Sequence, residues 1–276
     1  MKVKLYKPQN PLLKQYIECF YTLQRPPEDE SVTYFAFPSI FSMVCLNADA
    51  DVEVSEDSMT LKHCLHTKLE TRLICNFGRP GRIRYEGAAN EVVIYFKPLG
   101  LNSFLEKDLK YYMGASFIKF NPFDDYQAAM TKIFSIDDDR AKIEALESYW
   151  LSNHKGFEHP FLHRVVDEII KEGGSSSLSE TALKNKVSRT TLNKHFDLHI
   201  GTTPSQFRKI VRFRKAMKQH RQKISAENLT DISYNADYFD QSHMVKDFKA
   251  LTRYSPKDFF SKLSTLEDGN INWLFL

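Results

Sequence analysis

Residues 177–207 read SLSETALKNKVSRTTLNKHFDLHIGTTPSQF, and a degenerate copy, NLTDISYNADYFDQSHMVKDFKALTRYSPKDF, follows at residues 228–259. In the first copy Ser177 stands three positions before Glu180, the pattern of a polar helix cap with an acidic residue in the first turn. The second copy begins with the same pattern, Asn228 followed three positions later by Asp231. Each copy therefore predicts a short capped helix, a turn and a second helix, an arrangement that can present its second helix to the DNA major groove.

Both copies end where a further helix is expected to start. Thr203 and Ser255 are each followed by proline, and a hydroxyl cap before a proline in the first helical position is a strong start signal. Between the copies, residues 206–223 combine apolar residues near helical spacing with eight lysines or arginines. This pattern predicts a rigid, basic connecting helix.

Five pieces of the carboxy-terminal third occur in a specific order and spacing, namely TALKNKVSRTTLNKHF, GTTPSQF, RFRKAM, YFDQSHMVKDFK and YSPKDFF. Together they resemble the DNA-binding domain of the AraC/XylS family of bacterial transcription regulators. The resemblance implies an all-α domain over residues 160–264, made of two helix-turn-helix units joined by a linker helix.

Three positions depart from the family pattern. Lys186 and Asp237 stand in the two turns where the family usually has glycine, and Arg253 replaces the glycine that Gly201 keeps in the first unit. Aspartate tolerates a left-handed backbone moderately well, whereas lysine does so at a higher cost. We therefore expect a strained or altered first turn.

The N-terminal ends of the two second helices are the candidate DNA-reading surfaces, because these ends meet base edges in helix-turn-helix docking. The predicted DNA contacts are Arg189, Thr190, Thr191, Asn193 and Lys194 in the first unit, and Asp240, Gln241, Ser242, His243 and Lys246 in the second. Asp240 is equally a candidate N-cap, and His243 a candidate surface residue without a contact.

Phosphate contacts are expected at helix starts and at arginines on the basic connector. They are assigned to Thr203, Arg208 and Ser255. The family resemblance implies a structural role for Arg212, against the domain's own helices.

Charge is distributed unevenly along the 276 residues. The formal net charge is +3, yet residues 161–264 hold 19 Lys and Arg against 11 Asp and Glu, so the rest of the chain is acidic. A basic third on an otherwise acidic chain favours a polyanion, here double-stranded DNA, as partner of that third.

The amino-terminal part resembles a less characterised domain of some members of the family, in PLLKQYIECFYTLQ, FAFPSIFSMVCLNAD and EVVIYFKPLGLNSFL. Its residues predict an early helix, β-rich runs in VTYFAF, FSMVCLN, TRLICN and EVVIYF, and helical stretches from about 101 to 153. We expect an α+β domain over residues 1–155, with a small mixed or antiparallel sheet, that senses a small molecule, dimerises, or does both. Gly156 and Pro160 mark the boundary.

The chemistry of the remaining residues argues against catalysis. The four cysteines are dispersed, no catalytic motif is found, and HCLH at residues 63–66 lacks a fourth ligand, so we expect no enzymatic activity, no cofactor and no metal. The sequence shows no membrane span and no secretory signal, which predicts a cytoplasmic protein. The apolar tail, residues 265–276, packs either on its own chain or on a partner.

The sequence thus predicts a DNA-binding transcription regulator that reads an asymmetric site through two recognition helices. Other candidate partners are a small-molecule effector, RNA polymerase and a second copy of the chain. Two alternatives stay open, a ligand-independent DNA-binding or architectural module and, less favoured, a DNA-repair regulator with a reactive cysteine.

Overall fold

A central antiparallel sheet organises the amino-terminal part of the molecule. The computed structural model describes residues 1–64, 69–75, 78–114, 117–222, 238, 241–266 and 271–275. The strands of the first sheet, in spatial order, are β1 (Lys2–Tyr6), β2 (Ile17–Arg25), β9 (Ala89–Phe96), β4 (Ser42–Ala48), β7 (Leu69–Ile74) and β10 (Ile118–Lys119).

A second sheet packs against the first. Its strands, in spatial order, are β11 (Ser264–Leu266), β12 (Ile271–Phe275), β3 (Val32–Ala36), β8 (Gly81–Glu86), β6 (Ser58–His63) and β5 (Ala50–Val54). Strands β6 and β8 run parallel, and the other pairs are antiparallel. The described residues of the apolar tail, 265–266 and 271–275, therefore form part of this sheet, with Leu274 opposite Phe35 in the register of β12 and β3.

Strand β4 shows why the first sheet is buried on both faces. Successive side chains of a strand point to opposite faces. Met43 and Cys45 accordingly join the core between the two sheets, whereas Val44 and Leu46 join a core that also holds Trp150. That second core is closed by helices α2 (Tyr126–Phe134) and α3 (Asp139–Ser152).

The carboxy-terminal part is helical around one aromatic core. Phe196, Phe207, Phe213, Phe248 and Phe259 are all fully buried there, and each such side chain contributes about 1.5–3 kcal/mol by leaving water. The helices that the structure describes there are α4 (Leu162–Lys171), α5 (Leu178–Lys184), α6 (Arg189–His199), α7 (Pro204–Gln222), α8 (Gln241–Thr252) and α9 (Pro256–Lys262).

Local signals in the sequence correspond to helix starts. The Ser177 hydroxyl accepts a hydrogen bond from the backbone N–H of Glu180 at 3.5 Å, and that of Ser255 accepts one from Asp258 at 3.2 Å. Asn228, the predicted cap of the second copy, lies outside the described residues. The predicted fold class, an α+β part followed by an all-α helix-turn-helix part, is confirmed.

The early helix that the sequence predicts is present but short. Helix α1 spans only Leu13–Tyr16, and the chain continues directly into β2. Seven of the nine residues 17–25 are buried, including Phe20 and Tyr21, so pairing with β1 and β9 outweighs helix formation there. Within the part of the chain that the structure describes, the sheet structure is also larger than expected, with twelve strands in two sheets. Among the described residues, no helix combines the length and apolar character needed to cross a bilayer.

The turn between α5 and α6 has the predicted unfavourable backbone. Lys186 has a φ of 55°, and Arg253, the other departure that the structure describes, has a φ of 69°. A left-handed backbone costs a residue with a side chain roughly 1–2 kcal/mol.

Replacing Lys186 by glycine should raise the free energy of unfolding by about 1 kcal/mol, because the side chain is exposed and only the backbone strain changes. Urea denaturation measures this value. The control is Lys184→Gly in the last turn of α5, which should lower stability by about 1 kcal/mol or slightly more, because it loses helix propensity and the exposed ion pair of Lys184 with Glu168. A loss of stability in both variants would contradict the assigned turn geometry.

Candidate nucleic-acid interface

The first unit presents a polar stripe along α6. Ser188 caps the helix by accepting from the backbone N–H of Thr191 at 2.9 Å, and the two hydroxyls lie 2.8 Å apart. Thr191 is therefore half-buried and already bonded within the chain. The other predicted contacts of this unit are all exposed at the surface, namely Arg189, Thr190, Asn193 and Lys194.

The opposite face of α6 holds the helix in place. Leu192 and Phe196 are buried in the aromatic core. Substitutions of the exposed residues on the polar stripe would not disturb this core. The stripe can therefore carry side chains that suit a binding partner.

The second unit repeats this arrangement on α8. Gln241, Ser242 and Lys246 are exposed, whereas Met244 and Phe248 are buried. The two helices thus share one design, in which an apolar face fixes the helix and a polar face is exposed at the surface.

Two predicted contacts of the second unit differ from the rest. His243 is half-buried, and its Nε2 lies 3.7 Å from the Asp247 carboxylate, so it interacts within its own helix. Asp240 lies outside the described residues.

The predicted phosphate contacts fall into two groups. Thr203 caps α7 by accepting from the backbone N–H of Gln206 at 3.1 Å, and Ser255 caps α9 in the same manner. Arg208 instead donates to the carbonyls of Gly174 and Ser175, at 3.2 and 3.1 Å. Two donors of Arg208 are therefore engaged by the protein, which leaves less of this side chain for phosphate.

Arg212 joins three parts of the helical region. Its guanidinium donates to the carbonyl of Gly174 at 2.8 Å and to the Asp247 carboxylate at 3.1 Å. Lys209 lies 3.5 Å from the other oxygen of the same carboxylate. Arg212 and Asp247 are both buried, so this ion pair fixes α8 on α7 and on the turn after α4. The contacts of Arg212 therefore agree with the structural role that the family resemblance implies.

The linker helix α7 also contacts the amino-terminal part. Arg214 donates to the carbonyls of Phe37 and Pro38 at 2.6 and 2.7 Å. Burial lowers the pKa of Arg214 to about 10. The Phe37 ring meets Phe259 with centroids 4.8 Å apart, and Arg253 pairs with Asp57 at 2.6 Å.

Helix α6 is held by a separate set of contacts. Lys110 pairs with Asp197 at 2.8 Å, and the amide of Asn102 donates to the carbonyl of His199 at 2.8 Å. Both helix-turn-helix units are therefore fixed to the amino-terminal part, although through different segments of it.

Three histidines that the sequence did not single out meet beside α6. Nε2 of His159 lies 3.0 Å from Nδ1 of His195, and His199 lies close to both. Burial lowers the pKa of His159 to about 4, with a further contribution from the neighbouring histidines. The four-residue spacing of His195 and His199 on one helix face was visible in the sequence, but the distant His159 was not a predictable neighbour.

A comparison with protein families assigns the helical part. Residues 181–262 match the family described as "Helix-turn-helix domain". The chain carries an AraC-type helix-turn-helix domain. This AraC-type domain begins within α5 and ends with α9, so it contains both units and the linker helix. The protein is therefore a DNA-binding transcription regulator.

Beyond the AraC-type domain, similarities are more distant. The structure of ToxT from Vibrio cholerae is 11% identical, covers 88% of this chain and 97% of its own, and has a TM-score of 0.42. ToxT from the same organism with a bound unsaturated fatty acid is 12% identical, covers 87% and 94%, and has a TM-score of 0.43. No curated protein matches the chain.

Proposed function

We propose that the protein binds an asymmetric DNA site by placing α6 and α8 in two successive major-groove segments. The observation that carries this proposal is the shared design of the two helices, each with a buried apolar face and an exposed polar face. The 19-residue linker α7 is about 28 Å long, a length that suits groove segments roughly 34 Å apart. Because the units differ in sequence, the two halves of the DNA site differ as well.

The exposed side chains have specific roles in this proposal. Asn193 and Gln241 pair with adenine, for which a side-chain amide offers a matching donor and acceptor. Arg189 pairs with guanine, while Lys194 and Lys246 contact guanine or the adjoining phosphate. The remaining predicted base contacts, Thr190, Thr191, Asp240, Ser242 and His243, adjust the fit at the same two places.

The backbone contacts set the register. Thr203 and Ser255 lie at helix starts, where N–H groups and the helix dipole attract a phosphate. Arg208 contributes through the part of its guanidinium that the protein does not engage. Such contacts position the protein on the duplex without reading the sequence.

The amino-terminal part acts as the regulatory domain in this proposal. Residues 1–155 are the sensor, residues 160–264 bind the DNA, and residues 265–276 are the tail, of which residues 273–275 pair with the sensor's sheet.

A groove of about 520 Å³ between the sheet region and α4 is the candidate effector site, lined in part by Tyr16, Phe41, Lys97, His163 and Val166. A volume of this size fits a small molecule. The contacts of Arg214 then carry a change in the sheet to the linker helix.

Replacing Lys246 by alanine tests the DNA interface. We expect weaker binding for all DNA sequences and a salt dependence whose log–log slope is smaller by about 1, because one counterion fewer is released. Fluorescence anisotropy over a salt series measures both quantities. Lys132→Ala, which removes the same charge from the exposed face of α2, is the matched control and should change neither. An unchanged slope for Lys246→Ala would exclude the proposed docking of α8.

A further inference from the structure

A cluster of histidines joins α6 to the segment that precedes α4. His195 and His199 lie four residues apart on α6, and His159 comes from the chain before α4. Each ring offers one nitrogen, and these three nitrogens lie within 4.8 Å of one another. Three imidazoles this close, brought together from distant parts of the chain, are the ligand set that first-row transition metals prefer.

The distances fit a tetrahedral ion after small adjustments. A tetrahedral zinc ion with nitrogen ligands at about 2.0 Å separates those nitrogens by about 3.3 Å. Nε2 of His159 and Nδ1 of His195 are already 3.0 Å apart. Only His199 has to move closer, by rotation of its side chain.

The surroundings of His199 support a ligand role. The residue is 8% exposed, and its Nδ1 is buried without a hydrogen bond. Oδ1 of Asp108 lies 3.3 Å from this nitrogen, although without the alignment of a hydrogen bond. A carboxylate next to a metal-bound imidazole commonly accepts its remaining proton and fixes the ring. A small rotation of His199 therefore satisfies its Nδ1 and leaves Nε2 for an ion.

We propose that His159, His195 and His199 bind one Zn²⁺ ion, with Asp108 as the residue that positions His199 and with water in the fourth position. The ion connects α6 to the segment before α4, and the contact of His199 with Asp108 adds the turn that holds Asp108. The site therefore fastens the first recognition helix to the amino-terminal part through Asp108.

Binding also has a cost in this geometry. Nδ1 of His159 accepts from the backbone N–H groups of Phe161 and Leu162, at 3.4 and 3.2 Å. The neutral ring therefore carries its proton on Nε2 and donates it to His195. To bind zinc through Nε2, the ring moves that proton to Nδ1 by exchange with water and gives up these two long hydrogen bonds.

The test uses the full chain after removal of metal with a chelator. Titration calorimetry with Zn²⁺ should show one ion per chain, and that step should be lost in His159→Gln and in His195→Gln. Asp108→Asn should retain the step with affinity about 10–100-fold lower, as expected for a residue that orients a ligand. His63→Gln is the control, since His63 is exposed and belongs to the HCLH stretch, and it should bind as the unchanged protein does.

Substitution with Co²⁺ gives a readout that does not depend on affinity. Visible absorption bands of a tetrahedral cobalt centre with nitrogen ligands, without a sulfur charge-transfer band, should appear in the unchanged protein and disappear in His195→Gln. Circular dichroism of each variant establishes that it is folded. Absence of stoichiometric zinc binding, a sulfur charge-transfer band, or full binding by folded His195→Gln would overturn the proposal.

Discussion

Replacing Arg212 by alanine is expected to lower the free energy of unfolding by about 3–5 kcal/mol, since the change leaves a buried carboxylate without its main partner. Asp247 is 3% exposed and accepts from Arg212 at 3.1 Å. Nζ of Lys209 remains 3.5 Å from the Asp247 carboxylate, but the lysine side chain is partly exposed, so it compensates only in part for the lost arginine. The change weakens the attachment of α8 to α7, so α8 should lose its protection from hydrogen exchange before the other helices do.

The matched control for this change is Arg208→Ala. Arg208 lies four residues before Arg212 on α7 and donates to the carbonyls of Gly174 and Ser175 in the loop after α4. Among the interactions of the described residues, no contact joins Arg208 to Asp247. Loss of its two hydrogen bonds to backbone carbonyls should cost about 1.5–2 kcal/mol, less than the loss of the buried ion pair, because no buried charge is left without a partner. Urea denaturation provides both values, and hydrogen exchange locates the change. Equal losses in the two variants, or protection of α8 unchanged in Arg212→Ala, would contradict the central role of the ion pair.

Replacing Glu91 by glutamine should stabilise the protein by about 3 kcal/mol at pH 8 and have little effect near pH 4. Glu91 lies on β9 and is 2% exposed, with Tyr85 donating to its carboxylate. Burial raises its pKa to about 7, against a smaller opposing effect of the hydrogen bonds from Tyr85 and Cys45. An unperturbed glutamate has a pKa of about 4.3.

The sign of the pH effect follows from proton binding. Between about pH 4.3 and 7 the folded protein holds a proton on Glu91 that the unfolded chain has released, so stability falls as pH rises through this window. Each pKa unit of difference is worth about 1.4 kcal/mol. Thermal or urea denaturation from pH 4 to 8 measures the effect. Glu28→Gln at the surface is the control, and a parallel pH dependence of Glu91→Gln and the unchanged protein would refute this account.

The helical domain was largely predictable because its signals are local. Ser177 and Ser255 cap helices through residues three positions away, and the burial of Phe196 and Phe248 follows from their spacing within one helix. Because the pattern occurs twice, each helix start in one copy supports the corresponding start in the other. The repeat therefore predicts two similar helical units without information on contacts between distant residues.

The amino-terminal part was less predictable because its contacts are between distant residues. Residues 17–25 become strand β2 through pairing with residues 89–96, which no local pattern encodes. The tail joins β3 from the far end of the chain, and His159 meets His195 across 36 positions. The predicted base contacts, by contrast, required only the helix-turn-helix resemblance and the polarity of two helix faces.

The most direct test of the two-helix proposal is selection from a random DNA library with the purified full-length protein. We predict enrichment of one asymmetric motif with two unlike elements, centred about one helical turn apart, roughly 10 base pairs. A palindromic motif, a motif with a single element, or no enrichment at low salt would contradict the claim that α6 and α8 of one chain read the DNA together.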